Sequence, residues 1–467
     1  MGIGTPILGI VKKSTFREFC PHKNCLTKSI MENNLKTKLA GKKILFASVP
    51  VEGHFNPMTG LAKHLKGLGC DVRWYMPDIF EKKIKDLDFP RYGYEKAVAV
   101  TLDTIETYGG RSEISDPLEK LNFDFIHMFA KRGPEYYEDI VRINEAFPFD
   151  LLIADSFFSA IPFVKIKLNK PVITIGIVPL VEDSIDLAPF GMGMPPARNE
   201  AERVEYAKIR DEAVNVMFKQ AVDTYDEILK AYDIHIGRSM LPNLLCREAN
   251  MCLQIGTPGF EYKRIDQSNN IRFIGALLPH LSENQNRKLW FDERIRRYKK
   301  IILVTQGTFE KDFTKLTAPT LHAFRDTDVL VIVTTAGNGT EELRKKYSAE
   351  NIIIEDFIPF NEVMPFVHVF VTNGGYGGTL LSIHNRVPMV AAGVHEGKIE
   401  ICSRIGYFNY GVNLGTETPD SETIRNAVEE VMNNGLYKSN IDKLNAEMEE
   451  YNSLELCETY ISELLGD

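Results

Sequence analysis

The stretch "VTNGGYGGTLLSIHNRVP" (371–388) places Gly374, Gly375, Gly377 and Gly378 within five residues, directly after the apolar run "HVFV" and before a helix-like segment. Without side chains, such a strand-to-helix turn can present backbone N–H groups and the positive end of a helix dipole to an anion. A tight turn that binds nothing is the alternative, and it needs one or two glycines. A second loop, "LVTQGTF", puts Gly307 and Thr308 after another apolar run, offering an N–H and a hydroxyl. Two small, polar strand-end loops on one sheet edge fit a diphosphate better than a single phosphate, which implies a phosphate-linked nucleotide.

Other chemistries find less support. Cys20 and Cys25 in "CPHKNC" are spaced like metal ligands, but no second ligand pair lies nearby and the surrounding Lys-rich leader has no apolar periodicity. Residues 1–40 therefore read as a disordered extension. The seven cysteines are odd in number and scattered, as a reducing compartment allows, so the expected location is the cytoplasm. No secretory pattern opens the chain, and Pro6 stands where a myristoylation signal wants Ser or Thr. With 55 Lys+Arg against 64 Asp+Glu and a net charge of -9, no nucleic-acid footprint is visible. The longest apolar runs are interrupted before the ~20 residues that a membrane span requires.

The elements that must position these loops follow a repeating rhythm. "KILFASVP" reads as a strand, "VEGHF" as a loop, and "NPMTGLAKHLKGLG" as a helix with Asn56 as N-cap and Pro57 at its first position. "CDVRWYM", "FDLLIADSF" and "KPVITIGIVP" supply further strands, separated by long helical insertions such as "NEAERVEYAKIRDEAVNVMFKQAVDTYDEILKAY". After the polar stretch "LSENQNRKLWFDE", "KIILVTQG", "DVLVIVTT", "NIIIEDF", "HVFVTN" and "PMVAAG" form a second set. A chain of 467 residues exceeds one ordinary core, since single cores stop growing at roughly 250–300 residues. The expectation is therefore an α/β protein of two doubly wound, Rossmann-like domains facing each other across a cleft.

The combination of "GHFNPMTGLAKHL", "LLIADSF", "VTQGT" and "DFIPFNEVMPFVHVFVTNGGYGGTLLSIHNRVPMV" resembles the inverting UDP-glycosyltransferase superfamily of GT-B fold, over roughly residues 42–467. Within it the chain is most similar to bacterial-type enzymes that glycosylate small molecules. The resemblance implies an acceptor-binding domain at 41–285, a nucleotide-sugar-binding domain at 286–447, and a terminal helix at 448–467 packing back on the first domain.

It also implies roles. His54 matches the family's general base, which takes the proton of an acceptor hydroxyl; imidazole suits that task at neutral pH. Asp155 matches the carboxylate that orients it. Capping of a following helix is the alternative for each. Phe357 and Ile358 match the positions that stack on the base and read its edge, with Phe replacing the usual Trp; an ordinary core Phe is the alternative. Asn373 stands where the family usually has a diphosphate-contacting His, ahead of Gly374, Gly375, Gly377, Gly378 and Thr379. Gly397 and Lys398, with Glu396 adjacent, stand where an acid–Gln pair usually reads the sugar.

These residues imply a metal-independent hexosyltransferase with a UDP-sugar, expected to be UDP-glucose, as co-substrate and no bound cofactor. The acceptor is expected to be a small, largely apolar molecule, on the strength of "NFDFIHMFA" and "APFGMGMPP", for which packing is an equal alternative. A catalytically weak homologue serving as a partner subunit or nucleotide-binding protein is the competing function. A nicotinamide dehydrogenase fits less well, because "GYGGTL" and "AGNGTEEL" both lack the third glycine of that fingerprint. The sequence leaves the oligomeric state open.

Overall fold

The computed structural model describes residues 38–101, 104–280, 290–307, 310–395 and 397–466. Most of the proposed extension, with Cys20 and Cys25, lies outside this range, as does most of the polar stretch 281–293 between the two sets of strands. At Leu39 the chain is already fully buried, and its carbonyl accepts the Cys70 thiol.

The described residues form two sheets. The first joins β1 (Lys43–Ala47), β2 (Asp71–Tyr75), β3 (Arg91–Tyr92), β4 (Leu151–Asp155), β5 (Val172–Gly176), β6 (Met251–Gln254) and β7 (Ile271–Phe273) in the order β3-β2-β1-β4-β5-β6-β7. The second joins β8 (Lys300–Thr305), β9 (Val329–Thr334), β10 (Ile352–Glu355), β11 (Val369–Thr372), β12 (Met389–Ala391) and β13 (Gly411–Asn413) in the order β10-β9-β8-β11-β12-β13. Every pairing of these strands is parallel. Parallel sheets are covered by helices on both faces, so their strands read as unbroken apolar runs; "LLIAD", "VITIG" and "VLVIVT" are buried from end to end. The strands absent from the sequence reading, β3, β6, β7 and β13, have two to four residues each, too short to show a pattern.

Both sheets reverse their order once. In the first, β1 has β2 on one side and β4 on the other; in the second, β8 lies between β9 and β11. Crevices open beyond the carboxyl ends of strands at such switch points. The registers Ala47↔Ala154 and Thr305↔Thr372 bring the paired strand ends level there.

Eight helices matter to the argument: α1 (Glu52–Gly67), α2 (Arg132–Ala146), α3 (Glu200–Glu212), α4 (Lys219–Ala231), α5 (Tyr376–His384), α6 (Lys398–Tyr407), α7 (Gly435–Glu449) and α8 (Ser453–Leu464). The first corrects the sequence reading. Helix α1 starts at Glu52 with Val51 as N-cap, so Pro57 lies inside it and "VEGHF" is mostly helical. Tertiary packing overrides the local signal: Phe55, one turn earlier than expected, packs against Trp74 and Phe80 at ring distances of 4.8 and 5.0 Å. Pro57 cannot bond back to the Gly53 carbonyl, but Gly53 is exposed, where water can replace that bond.

The two halves share a core. Phe260 lies 6.0 Å from the Tyr376 ring and 6.1 Å from the Tyr410 ring, and the Tyr376 hydroxyl donates to the Ile255 carbonyl at 2.8 Å. Beside this lies a buried ionic cluster. Arg404 donates to Glu261 at 2.9 and 3.1 Å and to Glu400 at 2.7 Å, beneath the Tyr262 ring at 4.3 Å. The other oxygen of Glu400 accepts the N–H groups of Gly191 and Gly193 at 2.8 and 2.9 Å. Those two glycines have φ of 101° and 61°, left-handed values that let both N–H groups converge on one oxygen. The "GMG" of "APFGMGMPP" is thus a clasp between the first half and α6. At the end of the chain α7 accepts the Gly259 N–H through Glu447, and α8 reaches α1, where Glu458 meets His64 at 2.9 Å.

Arg404 is 1% exposed, so removing it takes the buried counter-charge from Glu400 and leaves Glu261 only Arg264, at 3.7 Å. Arg404→Met is expected to lower stability by about 3–5 kcal/mol in chemical denaturation. An unchanged midpoint would show that solvent reaches the cluster.

Candidate active site

At the first switch point, Asp155 ends β4 and is fully buried. One carboxylate oxygen accepts the Val49 N–H at 2.7 Å; the other accepts the Phe157 N–H at 2.9 Å and lies 2.9 Å from His54 Nδ1. A carboxylate engaged by two N–H donors is an acceptor, so Nδ1 donates to it, and in the neutral ring the lone pair is then on Nε2. Helix α1 supplies His54 from its first turn, with the Phe157 ring edge-on at 5.6 Å. The His54 side chain is 18% exposed, which leaves it open to a reactant. Phe129, from the turn of wide helix Phe125–Ala130, meets Phe157 at 5.8 Å and thereby links the "NFDFIHMFA" stretch to this site.

At the second switch point the glycines divide. Helix α5 begins at Tyr376 with Gly375 as N-cap, so Gly377 and Gly378 lie inside its first turn rather than ahead of it. Gly374 has φ of 83°, and a Cβ there would stand 2.5 Å from Cys402 Sγ. Gly375 and Gly377 face open space. Gly378 faces inward, where a Cβ would meet the Phe370 ring at 3.3 Å. The sequence reading treated the four alike; two leave room for a ligand, while Gly374 and Gly378 admit close packing. Thr379 is buried and its hydroxyl donates to the Gly375 carbonyl at 3.0 Å, so it serves the helix.

Across from the glycines, Gly307 follows β8, with the Asn373 side chain 3.6 Å from where its Cβ would be. The Asn373 amide donates to the Gln306 carbonyl, tying the two loops together. Thr308 and Glu396 lie outside the described residues. Phe357 is 70% exposed beside Gly337, which removes the core alternative for that ring, whereas Ile358 is buried. Gly397, the N-cap of α6, would place a Cβ 3.6 Å from Val178 and 3.9 Å from Phe190. Because Val178 follows β5, this contact sets the strand-end edges of the two sheets face to face. Residues the sequence reading missed are Phe157, Glu261, Glu400 and Arg404. Only the i,i+4 spacing of Glu400 and Arg404 gave a local signal.

Among the described residues no helix is long and apolar enough to cross a membrane. The profile of the UDP-glucoronosyl and UDP-glucosyl transferase family matches residues 212–449, about half of the chain, and the chain belongs to that family. It is a glycosyltransferase of GT-B fold. It is 27% identical to 4'-demethylrebeccamycin synthase of Lentzea aerocolonigenes over 420 residues, covering 87% of this chain and 96% of that protein. It is 28% identical to UDP-glucosyltransferase 1 of Beauveria bassiana over 443 residues, covering 90% and 94%. Among solved structures, the glycosyltransferase of kitacinnamycin superposes with a TM-score of 0.69 at 16% identity, covering 91% of this chain and 99% of that one. The calicheamicin glycosyltransferase CalG4 does so with 0.68 at 15%, covering 91% and 98%.

The division of the glycines has a direct test. Gly377→Val is expected to weaken UDP binding in calorimetry while the melting temperature without ligand changes little. Gly378→Val is expected to lower the melting temperature by displacing Phe370. The reverse pattern would mean that the ligand approaches the other side of the turn.

Proposed function

We propose that the chain is an inverting, metal-independent hexosyltransferase that moves glucose from UDP-glucose to a hydroxyl of a small, largely apolar acceptor. The observation that carries this reading is the 2.9 Å contact of His54 Nδ1 with buried Asp155 at one switch point, opposite an open glycine turn at the other. His54 Nε2 takes the acceptor proton as the oxygen attacks the anomeric carbon, and Asp155 stabilises the imidazolium that forms. One displacement on the face opposite the leaving group inverts the anomeric centre. The N-terminus of α5, with the Gly375 and Gly377 turn, receives the departing diphosphate. Exposed Phe357 offers its face to the base, and Ile358 its backbone.

Metal independence is supported by that helix terminus, whose N–H groups and dipole can take the charge of the leaving diphosphate. Phe157 beside His54, with Phe129 packed against it, supports an apolar acceptor. The two named relatives above, one a synthase of a rebeccamycin derivative and one a UDP-glucosyltransferase, agree with a small acceptor and a glucose donor.

His54→Ala is expected to lower kcat by ~10²–10⁴ while UDP affinity stays near wild type. Measuring UDP release against a panel of acceptors, with UDP binding followed by calorimetry, checks both parts. Tight UDP binding with no transfer by the wild-type protein would instead identify a nucleotide-binding partner subunit. Activity is also expected to survive EDTA; loss in EDTA with recovery in Mg²⁺ or Mn²⁺ would overturn metal independence.

A further inference from the structure

His54 stands at one end of a line of phenyl rings. Ring to ring, the steps are 5.6 Å from His54 to Phe157, 5.8 Å on to Phe129, 5.9 Å to Phe125 and 5.6 Å to Phe218. The line is in single file: among the described residues, none of the four phenyl rings meets an aromatic ring outside it. All four are half-buried. Phe157 and Phe129 also pack against buried apolar clusters of the first half, so core packing accounts for the inner two. Phe125 and Phe218 pack against none of these clusters, and core packing leaves them unexplained.

Two wide helical turns form the outer end. Phe125 opens the turn Phe125–Ala130, in which the Lys131 N–H donates to the Ile126 carbonyl at 2.9 Å. Phe218 follows the turn Ala213–Met217 and donates its own N–H to the Ala213 carbonyl at 2.9 Å. Both bonds span five residues, a rare helical pattern that recurs at functional sites. Buried Asn122 ties the second turn to the helix before the first, donating to the Met217 carbonyl at 2.8 Å and to the Leu118 carbonyl at 3.1 Å. Along the line, successive ring planes differ by 69°, 48°, 42° and 84°. A planar ring system can therefore stack on one of these rings but not follow the line, whereas a flexible methylene chain can cover each in turn.

We infer that the acceptor is a long-chain compound whose hydroxyl lies at His54 and whose unbranched alkyl chain runs along Phe157, Phe129, Phe125 and Phe218. This rests on the reading of His54 as the base that receives the acceptor proton. Continuity with His54 fixes which end of the ligand reacts, and the single file of tilted rings fixes its shape. Phe125 and Phe218 are then specificity-determining residues: they select for chain length at a distance from the reacting atoms.

The test compares phenol, 4-butylphenol, 4-octylphenol and planar 4-phenylphenol as acceptors, by kcat/KM with UDP-glucose and by calorimetric binding to the UDP-loaded protein. In wild type, kcat/KM is expected to rise about two- to threefold per added methylene, short of the roughly fourfold of a fully buried one, and 4-octylphenol is expected to outrank 4-phenylphenol. Phe125→Ala is expected to lower kcat/KM for 4-octylphenol about tenfold and leave phenol within about twofold, with a smaller loss in the same direction for Phe218→Ala. Thermal melts confirm that the variants fold, and the wild-type length series stands without them. Indifference to chain length in wild type, a preference for 4-phenylphenol, or equal losses for phenol and 4-octylphenol in a folded Phe125→Ala protein would each overturn the inference. Length-dependent binding without transfer to any phenol would uphold the line of rings and mark the reading of His54 as the fault.

Discussion

The site depends on a carboxylate held out of water. Asp155 is fully buried, and burial of a charge is tolerated only where hydrogen bonds replace its hydration. The Val49 and Phe157 N–H groups do so, and each comes from the chain at a strand end of the same switch point. The third donor is His54 Nδ1. Fixing Asp155 by backbone fixes the imidazole in turn, since the carboxylate can only accept. The His54 ring is therefore positioned from the end of β4, by backbone that has just left β1 and β4.

The second requirement is that two sheets present their switch points to each other. The clasp of Glu400, Arg404 and Glu261 meets it with groups that lie almost wholly inside the protein. Such a cluster is not an efficient source of stability compared with apolar packing. Its geometry is directional, however: the Gly191 and Gly193 N–H groups accept only one placement of Glu400, which sits two residues beyond Lys398 on α6. The clasp thus registers the start of α6 against the first half of the chain. Phe260, between Tyr376 and Tyr410, supplies the non-directional part of the same contact.

Much of this was legible in the sequence, because the signals were local. Unbroken apolar runs gave the long parallel strands, and glycines after "HVFVTN" gave the turn at β11. What escaped was set by partners distant in the chain. The start of α1 follows Phe55 into a pocket made by Trp74 and Phe80, which outweighs the cap signal of Asn56 and Pro57. The inward orientation of Gly378 is a property of Phe370 on the preceding strand. The pairing of Glu400 with Gly191 spans 209 positions and leaves no local trace. His54 and Asp155 lie 101 positions apart, and only the family resemblance joined them beforehand.

The most direct measurement of the central claim is the tautomer of His54, read from ¹⁵N–¹H correlations of histidine-labelled protein above the titration of the ring. Its signals can be assigned by their loss in His54→Gln. The account predicts a protonated Nδ1 and a bare Nε2, with this preference lost in Asp155→Ala. A protonated Nε2 in the wild-type protein would leave no lone pair facing the acceptor and would contradict the proposed role of the pair.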